Sequence, residues 1–111
     1  MECIFCKIVE NQIPAKKILE TERFLAFHDI NPQAPIHVLV IPKQHVSDFN
    51  HLEPELMAEA TEFIQRVVRE LDMAEAGYRI INNCGSHGGQ EVFHIHFHIL
   101  GGARLKWERL A

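Results

Sequence analysis

The chain has 111 residues, 47 % of them hydrophobic and 23 % charged, with a formal net charge of −4, a composition suited to one domain, residues 1–111, with a core of its own. A negative balance without a basic cluster excludes a binder that works by displacing counterions from nucleic-acid phosphates, and no apolar run reaches the length that crosses a bilayer. Met1-Glu2-Cys3 lacks the basic and apolar segments of a signal peptide, so the expected location is cytoplasmic, and three cysteines there do not suggest a disulfide framework.

Cys3 and Cys6 form a C-x-x-C pair, which leaves two readings open: half of a zinc site or a redox pair. A redox pair usually stands where a strand leads into a helix, and this one opens the chain. Residues 4–10 place Ile4, Phe5, Ile8 and Val9 at helical spacing, predicting a short helical turn that ends at Asn11–Pro14. Residues 17–20 and 23–28 read as a hairpin, and Asn31-Pro32 with Pro35 as a stiff connection. The β-branched run 36–41, ended by Pro42, predicts a strand buried on both faces in the middle of a sheet.

From Pro54 to about Asp72, Leu56, Met57, Ala60, Phe63, Ile64, Val67, Val68 and Leu71 follow the i, i+3/i+4, i+7 rule, with charges opposite and Pro54 as a first-turn residue. That is one long amphipathic helix. Residues 78–82 return to strand character, and the loop 83–90, with Gly85, Gly88 and Gly89, leads on towards the end of the chain. Its glycines let backbone N–H groups converge on an anion. The tally predicts an antiparallel α+β domain of about five strands, one long helix and one short one, with the helices on one side of the sheet.

The last segment, Phe93-His94-Ile95-His96-Phe97-His98-Ile99-Leu100, closed by Gly101-Gly102, carries the chemistry. As one strand it puts His94, His96 and His98 in a row and Phe93, Ile95, Phe97 and Ile99 on the other face. Alternate residues lie roughly 6.6 Å apart, so neighbouring imidazoles can share one bound group as base, acid, nucleophile or metal ligand.

The run His94 to Leu100 resembles the His-φ-His-φ-His-φ-φ signature of the histidine triad (HIT) family. The likeness extends to Ile4-Phe5-Cys6-Lys7-Ile8, Ile13-Pro14, Ala26-Phe27-His28-Asp29-Ile30, Pro32-Gln33-Ala34-Pro35, His37 with Leu39-Val40-Ile41-Pro42-Lys43, Tyr78-Arg79, Asn83, Gly88-Gly89-Gln90 and Gly101-Gly102. In all of these the chain is similar to the Hint branch, the histidine triad nucleotide-binding proteins.

That resemblance implies a homodimer with a continuous sheet and a purine nucleotide site in each subunit. It also implies hydrolysis of the P–N bond of adenosine 5′-phosphoramidates of the AMP–lysine type through a covalent nucleotidyl-histidine, with no cofactor needed for catalysis. By position His96 is the nucleophile, His98 and His94 assist at the phosphate and leaving group, and His37 orients or charge-stabilises the nucleophile. Asp29 matches the ribose-binding acid, Ile4, Phe5, Ile8, Phe27 and Ile30 the base pocket, and Asn83, Gln90 and Val92 the phosphate cradle.

Glu91 departs from the serine that many Hint proteins place against the scissile group, so its carboxylate either repels phosphate or recruits a cationic amine. Trp107 resembles a tryptophan that reaches the partner's site. Some bacterial relatives assemble a structural zinc from a set matching Cys3, Cys6, His45 and His94; the alternative makes both cysteines fillers of the pocket wall. Two other functions stay open. One is a hydrolase with a catalytic metal on His94, His96 and His37; the other is a nucleotide-binding regulatory protein with incidental turnover.

Overall fold

The central strands of the sheet are apolar on both faces, and this decides the architecture. The computed structural model of the protein describes residues 3–107. In it α1 (Ile4–Val9), β1 (Lys17–Glu20), β2 (Phe24–His28), β3 (Ile36–Pro42), α2 (Pro54–Glu70), β4 (Arg79–Ile81) and β5 (Phe97–Gly101) follow one another, with a 3-10 turn at Phe49–His51. The strands form one sheet in the order β1-β2-β3-β5-β4, antiparallel at every pairing. This is an α+β domain with a five-stranded antiparallel sheet and two helices.

Side chains of β2 and β3 alternate between two cores. Phe24, Ala26, Val38 and Val40 join Leu56, Ala60, Phe63, Ile64, Val67 and Val68 of α2, with the Phe24 and Phe63 rings stacked at 5.6 Å. Leu25, Phe27, Leu39 and Ile41 face the other way and are covered by Phe5 and Ile8 of α1. The expectation of helices on one side is therefore corrected. A sheet with two apolar faces needs two covers, and a six-residue helix, too short to stand alone in water, supplies the second.

The histidine strand is also corrected. Only Phe97–Gly101 lies in the sheet, where His98 pairs with Leu39 of β3 and Ile81 of β4. Residues 93–96 leave it, and the Ile95 N–H donates instead to the Val46 carbonyl at 2.6 Å. Phe93, expected on the core face, is 51 % exposed. Among the described residues no helix is long and apolar enough to cross a membrane.

Candidate active site

The four histidines enter from two directions. His37, near the start of β3, and His98, on β5, stand on paired strands, and the Nε2 of His37 lies 2.9 Å from the Nδ1 of His98. The Gln33 backbone N–H donates to His37 Nδ1 at 3.0 Å. A neutral imidazole has one lone pair and one N–H, so His37 carries its proton on Nε2 and donates it to His98. His98 in turn carries its proton on its own Nε2. Asp29 supports the pair, with Oδ2 3.4 Å from His37 Nε2.

His96 is fixed by a different bond. Its Nδ1–H donates to the backbone carbonyl of His94 at 2.9 Å, which leaves the lone pair on Nε2. The His96 and His98 rings are 5.0 Å apart, and Phe5 packs edge-on against His96 at 5.1 Å. Burial lowers the pKa of both, that of His98 to about 4. Asp29 and Glu91 pull His96 the other way, and burial prevails. Near neutral pH both imidazoles are uncharged, one offering a lone pair and the other an N–H.

These groups border a cavity of about 640 Å³. Ile4, Phe5, Ile8, Phe27, Asp29, Ile30, His37, Asn83, Glu91, Val92, His96 and His98, all singled out in the sequence, line it. Its lining combines apolar side chains with a few polar groups, the imidazoles among them, as a small-molecule site requires. Asp29 is less free than its two oxygens suggest, because Oδ1 accepts the Asn31 N–H at 2.8 Å in an Asx turn.

Two of the expected residues lie elsewhere. Gln90 is buried behind the wall, its Nε2 donating to the Ser47 and Val92 carbonyls at 2.7 and 3.1 Å and its Oε1 accepting the Gly85 N–H at 2.9 Å. It braces the loop 83–90. His94 is fully buried outside the cavity, its Nε2–H donating to the Pro42 carbonyl at 2.8 Å. Its Nδ1 lies 3.3 Å from Cys3 Sγ and 3.6 Å from Cys6 Sγ. The set His94, His96 and His37 does not converge, since His94 turns to the cysteines.

Cys3, Cys6, His45 and His94 form a second group, with one donor atom from each all within 4.8 Å of one another. Cys6 Sγ is 3.4 Å from His45 Nδ1. Bonds of about 2.3 Å to sulfur and 2.0–2.1 Å to nitrogen at tetrahedral angles separate S and N by roughly 3.6 Å, so the observed S–N contacts fit one shared cation. The Pro42 carbonyl holds the His94 tautomer that a ligand needs. Without a cation, burial pushes the Cys6 thiol up to about 11 and His94 down to about 4.

Sequence reasoning missed Gln33, which acts through its backbone and leaves no side-chain signal. It also missed Leu39 in the cavity wall, although Leu39 follows His37 at the period of two that puts both on one face.

The model of the HIT domain matches residues 10–105. The chain belongs to the HIT domain family. It is 57 % identical over 99 residues to a HIT-like protein of Helicobacter pylori, covering 89 % of this chain and 95 % of that one. Its fold is similar to the crystal structure of a HIT family hydrolase from Legionella pneumophila, with a TM-score of 0.91 and 43 % identity over 96 % of this chain and 97 % of that one. A histidine triad nucleotide-binding protein from Candida albicans aligns with a TM-score of 0.83 and 34 % identity over 88 % of this chain and 73 % of that one. The histidines described above are thus those of a HIT domain with the fold of HIT family hydrolases.

Proposed function

We propose that this HIT protein hydrolyses the P–N bond of purine nucleoside 5′-phosphoramidates through a nucleotide covalently held on His96. The observation that carries the reading is the hydrogen bond from His96 Nδ1 to the His94 carbonyl, because it leaves Nε2 with its lone pair beside the cavity. Nε2 attacks phosphorus as the P–N bond breaks. The electron pair departs with nitrogen, which takes a proton from solvent and leaves as the amine. Water then attacks phosphorus, the P–Nε2 bond breaks with its electron pair returning to Nε2, and the water's proton passes to solvent as the nucleoside monophosphate leaves and His96 is restored.

His98 supplies the N–H. Its Nδ1 is occupied by His37, so its Nε2–H is the end available to a phosphoryl oxygen or to the departing nitrogen. His37 is the positioning residue behind it, with Asp29 Oδ2 at 3.4 Å from the His37 Nε2. Phe5, Phe27, Ile4, Ile8 and Ile30 fit the base, the remaining oxygen of Asp29 fits the ribose hydroxyls, and Asn83 and Val92 fit the phosphate.

A catalytic metal on Asp29, His37 and His98, another group whose donor atoms lie within 4.8 Å, is disfavoured by Gln33. Its N–H takes the only lone pair of neutral His37, which leaves none for a cation on Nε2. The site fits chemistry that divides hydrolysis between imidazoles.

The cation suited to Cys3, Cys6, His45 and His94 is zinc in a closed structural role. Two thiolates and two imidazoles fill a tetrahedral shell with no open position, so it would tie α1 to the segments holding His45 and His94. The subunit would pair through its β4 edge, where Tyr78 and Ile80 are 38 % and 49 % exposed, extending the sheet across a two-fold axis. Trp107, 81 % exposed, would then pack against the partner. The cytoplasm is the compartment consistent with free thiols and zinc.

Adenosine 5′-phosphoramidate assayed with the parent chain, with His96→Ala, and with His96→Gly in added imidazole tests the reading. The parent turns over, the alanine variant is silent, and imidazole restores part of the activity of the glycine variant. Equal turnover by parent and His96→Ala would exclude His96 as nucleophile.

A further inference from the structure

Phe5 stands on α1 between Cys3 and Cys6, and its ring meets those of His94 and His96 edge-on at 5.8 and 5.1 Å. The same ring lines the nucleotide cavity. Cys3 also caps α1, accepting the Cys6 N–H on its sulfur at 3.3 Å. His94 belongs to both sites: its imidazole lies among the cysteine sulfurs, and its backbone carbonyl accepts the proton of His96.

We propose that a metal ion held by Cys3, Cys6, His45 and His94 positions the nucleophile His96 and the α1 wall of the cavity, so that metal and nucleotide bind with mutual positive coupling. The inference rests on the metal and nucleotide readings above and adds the connection between them.

The physical argument has two parts. An ion on Nδ1 and the Pro42 carbonyl on Nε2–H hold the His94 ring at both ends. With its side chain pinned, residue 94 keeps its carbonyl directed at His96 Nδ1, and the lone pair of His96 stays on Nε2. The second part concerns α1. A helix of six residues contributes little stability of its own, so its seat on the sheet rests on the burial of Phe5 and Ile8 and on the two cysteines at its start. A nucleotide that packs against Phe5, Ile4 and Ile8 binds the seated helix better than the loosened one. Whatever factor the ion contributes to nucleotide affinity, the nucleotide must return to the ion.

The test uses the full chain and measures zinc affinity by competition with a chromophoric chelator, with and without saturating AMP. Zinc is expected to bind about tenfold more tightly with AMP, and calorimetry to find AMP about tenfold tighter on the zinc-loaded protein. Equal zinc affinities with and without AMP would overturn the coupling while leaving both sites standing. Failure to take up zinc would overturn the metal centre itself, and failure of the zinc-loaded chain to bind AMP would overturn the nucleotide reading. Nitrogen NMR of His96 gives a readout independent of binding. The Nδ1–H form is expected with zinc and a mixture of tautomers after chelation, while methyl signals of Val67, on the buried face of α2, stay dispersed. Collapse of the Val67 signals together with the His96 change would assign the ion to the whole fold and overturn the proposal.

Discussion

The Nε2 of His37 sits 2.9 Å from the Nδ1 of His98, and the Gln33 amide behind His37 sets the direction of the proton between them. This fixes the N–H of His98 on the side away from His37, where the proposed mechanism uses a donor to phosphate. Replacing His37 with Asn removes the Nε2–H at that reach. The expected result is a fall in kcat of about 100-fold, the usual size of an acid–base contribution, with KM changed little. Steady-state kinetics of His37→Asn on adenosine 5′-phosphoramidate measures it, and an effect confined to KM would reassign His37 to substrate binding.

Burial keeps His98 neutral in the folded chain, with a pKa of about 4 against an ordinary value of 6.5. The unfolded chain therefore binds more protons than the folded one between about pH 6.5 and 4, so stability rises with pH across that window. The contribution is complete above pH 6.5 and is lost as pH falls through 4. His96 is also shifted down by burial. The profile of kcat/KM should stay level from pH 8 to about 6 and fall below it. A half-maximal point near 7 would show a protonated imidazole at work.

Asp29 divides its oxygens, one accepting the Asn31 N–H and the other 3.4 Å from His37. Asp29→Asn keeps an oxygen for the turn and removes the charge. The expected outcome is a roughly tenfold rise in KM for the ribonucleoside substrate, the cost of about one charged hydrogen bond. A 2′,3′-dideoxy analogue, which has no hydroxyls to lose, should show no comparable change. Equal losses on both substrates would limit Asp29 to supporting the turn and the histidine pair.

Much of this arrangement is legible in the sequence. The spacing from Leu56 to Val68 fixes the long helix and its buried face, and the run from Val38 to Ile41 identifies a strand covered on both sides. The second cover was harder to read, because six residues of α1 carry too little periodicity to say which face of the sheet they meet. The histidine row divides for a similar reason. Period-two alternation cannot show where a strand begins, and the bond from Ile95 to Val46, between segments 49 residues apart in sequence, draws residues 93–96 out of the sheet. His94 is thereby placed beside Cys3 and Cys6, the company in which the resemblance to zinc-holding relatives also puts it.

Exposed Ile80 on the edge strand β4 predicts the assembly. Ile80→Lys places a charge on the edge that the partner strand would meet. Sedimentation should find the parent as a dimer and the variant shifted towards monomer by at least tenfold in dissociation constant, in line with burying a charge without a partner. A parent that sediments as a monomer at high concentration would remove β4 as an interface.

The central claim is that the nucleotide passes through His96. The most direct measurement is mass spectrometry of the chain quenched during turnover of adenosine 5′-phosphoramidate, followed by digestion and mapping of any adenylate. The account predicts an acid-labile AMP adduct on the peptide containing His96, on the imidazole of that residue, formed and lost at rates that match turnover. Turnover at full rate with no adduct, or an adduct on His98 or His94 in its place, would contradict it.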